Sequence, residues 1–145
     1  MVKGELQSLE VSFLVHATED ESRVVEAIRS QLSIRDSPTM EVLEGHFGNR
    51  IVRVKYHATG QEATRLFAHI SSSIPSLERK RILSDIGRNL DEHNALFLRF
   101  SKQELLAHRL VLSENDPVRI KVKPRMYLMK GGPAEFFGSI MEVSF

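Results

Sequence analysis

The stretch PVRIKVKPR, from Pro117 to Arg125, alternates apolar and cationic residues without a break. Successive side chains of a β-strand point to opposite faces of a sheet. The pattern therefore predicts a strand that buries Val118, Ile120 and Val122 and turns a row of cations outward. This basic row consists of Arg119, Lys121, Lys123 and Arg125. Such a row either binds an anion or is ordinary solvated surface that protects a sheet edge from aggregation.

Two further segments place cations opposite apolar residues. Residues 52–57 alternate between apolar and cationic or polar side chains, and in residues 96–100 Arg99 and Phe97 lie opposite Leu96, Leu98 and Phe100. If every apolar face meets the core, the cations collect on one face of the sheet, and Glu10 is the only acid expected among them. Such a face attracts RNA phosphates largely independently of sequence. The predicted RNA-binding residues are Arg53, Lys55, His57, Arg99, Arg119, Lys121, Lys123 and Arg125.

Aromatic residues give little sign of base recognition. Phe97 and Tyr56 are the aromatics expected nearest to this cationic face, and Tyr56 is predicted to point inward. The paired exposed aromatics of an RRM sheet are absent from the pattern. The sequence thus favours contacts to the phosphate backbone.

Six histidines raise the alternative of a metal-dependent nuclease or hydrolase. His16 stands three residues before Glu19, and His46 stands two residues after Glu44. No H-x-H or H-E-x-x-H spacing occurs in the sequence. The segment GHFGN is typical of a hairpin turn. Thr18 with Glu21 fits a capping box in which Thr18 caps a helix, and the acids Glu19 and Asp20 suit the positive end of that helix. We therefore predict no catalytic residue, no bound metal and no cofactor.

Composition narrows the class of protein. The 145 residues are 41% hydrophobic and 27% charged, which is typical of a globular domain. No apolar run reaches the ~20 residues of a membrane-spanning helix, and the absence of cysteine excludes disulfides and thiolate metal sites. A cytoplasmic protein without membrane association is predicted. The net charge of +1 hides an asymmetry, because residues 1–49 hold four Lys/Arg and nine Asp/Glu whereas residues 50–145 hold sixteen and ten.

The periodicities predict an α+β fold in the order β-α-β-β-α-α-β-α-β-β. Each predicted helix and strand has apolar residues on one side only. A mixed or antiparallel sheet with all helices packed on one face would bury all of these sides together. Residues 1–125 are predicted to form one domain, and residues 126–145 an apolar extension packed on it. The alternative is an assembly protein whose tail docks a protein partner through an amphipathic turn of helix. That turn would present Phe136, Phe137, Ile140 and Met141.

Four blocks, FLVHATEDESRVVEAI, LEGHFGNRI, LFLRFSKQELLAHRLVL and DPVRIKVK, occur in this order. Together they resemble an archaeal family of small proteins described as exosome-associated RNA-binding proteins. The resemblance covers residues 9–123 and leaves out the tail after Arg125. It implies a fold similar to the large-subunit ribosomal protein that binds 5S RNA, and it implies RNA and exosome- or ribosome-related proteins as partners. It implies no catalytic residue. Ser101 stands where the family pattern has Asp, and both residues can cap a helix.

Overall fold

A computed structural model describes residues 6–45, 47–125 and 131–141 of the chain. Its strands are β1 (Leu6–His16), β2 (Thr39–Glu44), β3 (Arg50–Thr59), β4 (Leu96–Ser101) and β5 (Pro117–Pro124). Its helices are α1 (Glu21–Leu32), α2 (Gly60–Ser73), α3 (Ser76–Ser84), α4 (Lys102–Leu106) and α5 (Pro133–Met141), with a 3-10 turn at Ile86–Asn89. No helix in the described ranges is long and apolar enough to cross a membrane.

The five strands form an open antiparallel sheet in the order β2-β3-β1-β5-β4. Buried and accessible residues alternate in β1, β3, β4 and β5, as the sequence predicts, whereas β2 has no buried residue. In β1, Leu9, Val11, Phe13 and Val15 are buried while the residues between them are partly accessible. The predicted α+β class is confirmed. β2 and β3 form a hairpin whose antiparallel register places Glu41 opposite Arg53.

The predicted order of elements is also confirmed, but the strand expected just before β5 is shorter than predicted. The short strand expected before Ser113 consists of a single bridge between Leu112 and Phe100. Leu110 is buried, but Val111 and Leu112 are exposed at 42% and 38%, so this segment buries one apolar side chain. With a single buried side chain, the segment has little apolar burial to extend its pairing.

Residue contacts group the chain into two compact units. The first contains the described residues of 1–9, 58–98 and 121–145, and the second contains residues 10–57 and 99–120. Strands β1, β3, β4 and β5 contribute residues to both. The assignment of residues 1–125 to one domain stays a prediction.

In the first unit, α5 packs on α2 and α3. Phe137 is fully buried, and its ring meets Phe67 edge-on at a centroid distance of 6.2 Å. Arg79 on α3 donates a hydrogen bond from Nη1 to the backbone oxygen of Met141 over 2.9 Å. Phe136, Ile140 and Met141 are buried as well. The apolar side chains of α5 are therefore used within this unit and are not presented to a partner.

In the second unit, α1 and α4 pack together. The α1 N-cap is Asp20, whose Oδ1 accepts from the backbone N–H of Arg23 over 3.2 Å. The prediction that Thr18 caps this helix is therefore wrong. α4 begins directly after β4, and its N-cap Ser101 accepts from the N–H of Glu104 over 3.2 Å. This cap holds the first residue of α4, Lys102, at a fixed place beside the core.

Candidate functional site

Strand β5 has the alternation predicted for it. Val118, Ile120 and Val122 are completely buried, which anchors the strand to the core. The basic row lies on the opposite side, where Arg119 and Lys121 are partly accessible and Lys123 is exposed. Burial of the apolar row holds the strand in place. The cations of the basic row are then spaced about 7 Å apart, which is the distance between side chains two residues apart along a strand.

The second unit carries a cleft of about 780 Å³ on the outward side of β1, β3 and β5. Cations from two strands line it, namely Arg53 and Lys55 from β3 and Arg119 from β5. Leu14 and His16 of β1 lie between them, and Pro117 adds apolar wall. The cleft thus combines cationic groups with some apolar surface, the composition that suits a phosphate attached to a sugar and a base.

Acidic side chains lie closer to the cations than the sequence predicts. Glu10 Oε1 is 3.8 Å from both Lys55 Nζ and Arg119 Nη2, so the Glu10 carboxylate on β1 forms ion pairs with cations from both neighbouring strands. Glu41 Oε1 lies 3.5 Å from Arg53 Nη1 across the hairpin. The expectation that Glu10 is the only acid here is wrong, because the hairpin register brings the outward residue of β2 against β3.

The remaining predicted residues have different surroundings. Arg99, in the second unit, lies 3.7 Å through Nε from the carboxylate of Glu114, and His57 of that unit is exposed on β3. Lys121 and Lys123 belong to the first unit. So does Arg125, whose Nε is buried and has no hydrogen-bond acceptor among the described residues. The eight predicted residues thus divide between the two units.

The fold buries a lysine that the sequence pattern does not reveal. Lys102 has no exposed side-chain surface, and its ammonium donates to the backbone oxygen of Leu14 over 2.8 Å and to Glu19 Oε1 over 2.7 Å. Asp116 Oδ2 lies 3.0 Å from the same nitrogen. Three acceptors match the three donors of an ammonium group. A lysine at the first position of a helix is ordinary in sequence, so only the fold reveals this cluster.

His16, Glu19 and Asp116 have the composition of a metal site. Each offers one potential ligand atom, and these atoms lie within 4.8 Å of one another. His16 Nε2 is 3.1 Å from Asp116 Oδ1. The ammonium of Lys102 already contacts both carboxylates, in the position that a cation would take. The buried lysine therefore supplies the positive charge of this cluster.

Both acids of the cluster stay ionised more readily than usual. Burial raises the pKa of Glu19, but hydrogen bonds from the His16 backbone N–H and from Lys102 outweigh it, so the pKa lies below the ordinary 4.5. Burial likewise raises the pKa of Asp116, and hydrogen bonds from Lys102 and His16 bring it below the ordinary 3.8. Both groups are therefore carboxylates at neutral pH, as the pairing with Lys102 requires.

Several archaeal proteins are similar to this chain in sequence or in fold. An uncharacterized protein of Methanocaldococcus jannaschii is 32% identical over 122 residues, covering 79% of this chain and 81% of its own. A protein of Pyrococcus abyssi named as an RNA-binding protein is 29% identical over 136 residues, covering 88% of each chain. A solved structure of a DUF54 protein from Sulfolobus solfataricus superposes with a TM-score of 0.77 at 28% identity, covering 93% of this chain and 97% of its own.

A family model described as RNA binding matches residues 8–124. This range begins in β1 and ends with β5, so it takes in every strand of the sheet and the cations on it. The match spans well over half of the chain, and the protein therefore belongs to this RNA-binding family.

Proposed function

We propose that this protein binds RNA without catalysing a reaction on it, through cations on the open side of its sheet. The observation that carries the proposal is the placement of Arg53, Lys55 and Arg119 around the cleft of the second unit. These side chains project from strands whose opposite faces are buried, so the cations are held on a rigid surface. Membership of the RNA-binding family supports the same function.

The ion pairs on this surface are compatible with phosphate binding. The side chains of Lys55, Arg119 and Arg53 are 40%, 42% and 46% exposed, and their distances to carboxylates are 3.5 to 3.8 Å. Exposed pairs of this kind contribute about 0–1 kcal/mol each. An RNA phosphate can replace such a carboxylate at small cost and gains the entropy of released counterions.

The cluster around Lys102 supports a binding protein over a metal-dependent nuclease. A catalytic metal needs an open coordination position for water or substrate. Here the buried ammonium of Lys102 contacts both carboxylates that could hold the ion. The protein is proposed to act in the cytoplasm. The resemblance to exosome-associated proteins extends the proposal to RNA processing, with the exosome or ribosome-related proteins as partners.

The salt dependence of RNA affinity tests this function. The triple variant Arg119→Ala, Lys121→Ala, Lys123→Ala removes three cations of the basic row and leaves the buried residues of β5 in place. If each cation neutralises one phosphate, the slope of log affinity against log salt flattens by roughly two to three units. The loss should be similar for different RNA sequences, since phosphate contacts carry no sequence information. Anisotropy titrations at several salt concentrations measure both quantities.

A matched control removes three exposed cations that lie outside the sheet. Lys80, Arg81 and Arg88 are exposed on α3 and the following 3-10 turn. The variant with all three changed to Ala has the same net charge as the β5 triple variant. Loss of RNA binding to the same extent in both variants would indicate a nonspecific charge effect. An unchanged slope in the β5 variant would show that the basic row is solvated surface.

A further inference from the structure

Phe97 is an aromatic side chain on the outward side of β4. It is partly accessible, while its neighbours Leu96 and Leu98 are buried at 0% and 1% exposure. Most aromatic residues among those described are buried, and the exceptions are Phe97 and Phe47. Phe47 is 92% exposed in the turn between β2 and β3, outside any strand. Phe97 is thus the accessible aromatic ring that a described strand holds in place.

The ammonium of Lys121, on the neighbouring strand β5, lies over this ring. Its Nζ is 5.5 Å from the ring centroid, within the range of a cation–π contact. Lys123 is the next outward residue of β5, about 7 Å further along the strand. An aromatic ring therefore stands next to two cations of the basic row, and all three residues belong to the first unit.

We propose that Phe97 and Lys121 form a stacking site for one nucleobase of single-stranded RNA. This inference rests on the proposed RNA-binding function and specifies which form of RNA this part of the surface takes. Proteins that bind single strands combine a cationic track for the backbone with aromatic rings on which bases stack. The ring of Phe97 takes the base, and Lys121 and Lys123 take the phosphates that flank it.

Single-stranded RNA follows from the geometry of stacking. A base inside a duplex has both faces covered by neighbouring base pairs and cannot lie on a protein ring. An unpaired base in a loop or at an end can be splayed out and stacked. Cations without an aromatic ring would bind duplex and single strand alike through phosphates. The site is therefore expected to add affinity for unpaired RNA alone.

Substitution of Phe97 separates stacking from charge. The variant Phe97→Leu keeps an apolar side chain on β4 and removes the ring, while Phe97→Tyr keeps the ring. We expect Phe97→Leu to bind a single-stranded oligonucleotide about tenfold more weakly and a blunt duplex of the same sequence equally well. Phe97→Tyr should bind both as the parent does. The salt slope should stay the same in both variants, because no phosphate contact is lost. Phe47→Leu, which removes the exposed ring in the turn, is the matched control.

Photo-crosslinking of the unaltered protein gives a test that does not depend on folding of a variant. Single-stranded RNA carrying 5-iodouridine should crosslink to Phe97, as identified by mass spectrometry of the digested complex. Equal single-strand affinity of the parent and Phe97→Leu, with no crosslink at Phe97, would overturn the stacking site and leave RNA binding intact. If the unaltered protein binds neither single-stranded nor duplex RNA, the proposed function fails and the stacking site fails with it.

Discussion

Lys102 Nζ lies 2.7 Å from Glu19 Oε1, and the lysine side chain is completely shielded from solvent. The ammonium also bonds the Leu14 carbonyl of β1 and lies 3.0 Å from Asp116, just before β5. The Lys102 side chain thus links the first turn of α4 to three other places in the second unit. These are Leu14 in β1, Glu19 just before the α1 N-cap, and Asp116 just before β5. Because Leu14 and Asp116 also line the cleft, this cluster fixes one end of the candidate site.

Replacement of Lys102 by Met should destabilise the protein by about 3 kcal/mol, the lower end of the cost of removing one partner from a buried ion pair. The lower end applies because Glu19 and Asp116 are 16% and 31% exposed, so water solvates the abandoned carboxylates in part. Urea unfolding of both proteins measures this difference. Lys80→Met, at an exposed position of α3, is the control and should change stability little. A loss below about 1 kcal/mol for Lys102→Met would contradict a stabilising role of the cluster.

Acid should unfold the protein through the same cluster. The pKa values of Glu19 and Asp116 are lowered in the folded state from 4.5 and 3.8. A lowered folded pKa adds stability that is fully present above the unfolded value and is lost as the pH falls through the folded value. The free energy of unfolding should therefore be level above about pH 5 and fall below about pH 4.5, in the range that these two acids titrate.

The Lys102→Met variant should show a shallower fall over this acid range, because its carboxylates no longer gain from the ammonium. Glu26→Gln is a useful comparison, since Glu26 is exposed and pairs with Arg29 on the surface of α1. Because its hydrogen bonds with Arg29 lower the pKa of Glu26 as well, that variant should show a slightly shallower fall than the parent, but a much smaller change than Lys102→Met. If the parent and Lys102→Met lose stability in parallel between pH 5 and pH 3, other carboxylates dominate acid unfolding.

The sequence predicted what depends on local periodicity. Burial of Val118, Ile120 and Val122 follows from alternation within one strand, and so does the outward direction of Arg119 and Lys121. Lys102 could not be predicted, because its partner Glu19 is 83 residues away in the chain. Burial of a lysine depends on acceptors that only the assembled fold supplies.

Two local errors have similar causes. Glu41 was not expected among the cations, since its position opposite Arg53 depends on the register of the hairpin and not on the pattern of either strand. Thr18 matched the capping-box spacing, but the chain turns before α1 so that Asp20 becomes the cap. A one- or two-residue shift of a helix start lies beyond what the pattern resolves.

Truncation of Phe137 to Ala should destabilise the protein by about 3–5 kcal/mol, the usual cost of removing a buried aromatic side chain. Phe137 has no exposed surface and meets the rings of Phe67 and Phe136 at centroid distances of 6.2 and 5.1 Å. Chemical denaturation measures the effect, and Ser139→Ala at an exposed position of α5 is the control. An effect as small as that of Ser139→Ala would mean that α5 does not pack on α2 and α3 in solution.

Replacement of Glu10 by Gln should raise RNA affinity about two- to fivefold, the equivalent of one or two weak exposed ion pairs. Glu10 Oε1 is 3.8 Å from both Lys55 and Arg119, so its carboxylate occupies the place of a phosphate between them. Glutamine keeps the shape and removes the charge, so the Glu10 carboxylate no longer competes with RNA for Lys55 and Arg119. The salt slope should become steeper, because the two cations then neutralise phosphate rather than carboxylate.

The comparison for this variant is again Glu26→Gln, which removes the same charge from an exposed pair on α1. A general effect of net charge would raise affinity equally in both variants, whereas competition inside the cleft would raise it only in Glu10→Gln. Anisotropy titrations at two salt concentrations distinguish the two cases. Unchanged or weaker binding by Glu10→Gln would show that Glu10 holds Lys55 and Arg119 in their binding positions, so that the carboxylate assists RNA and does not compete with it.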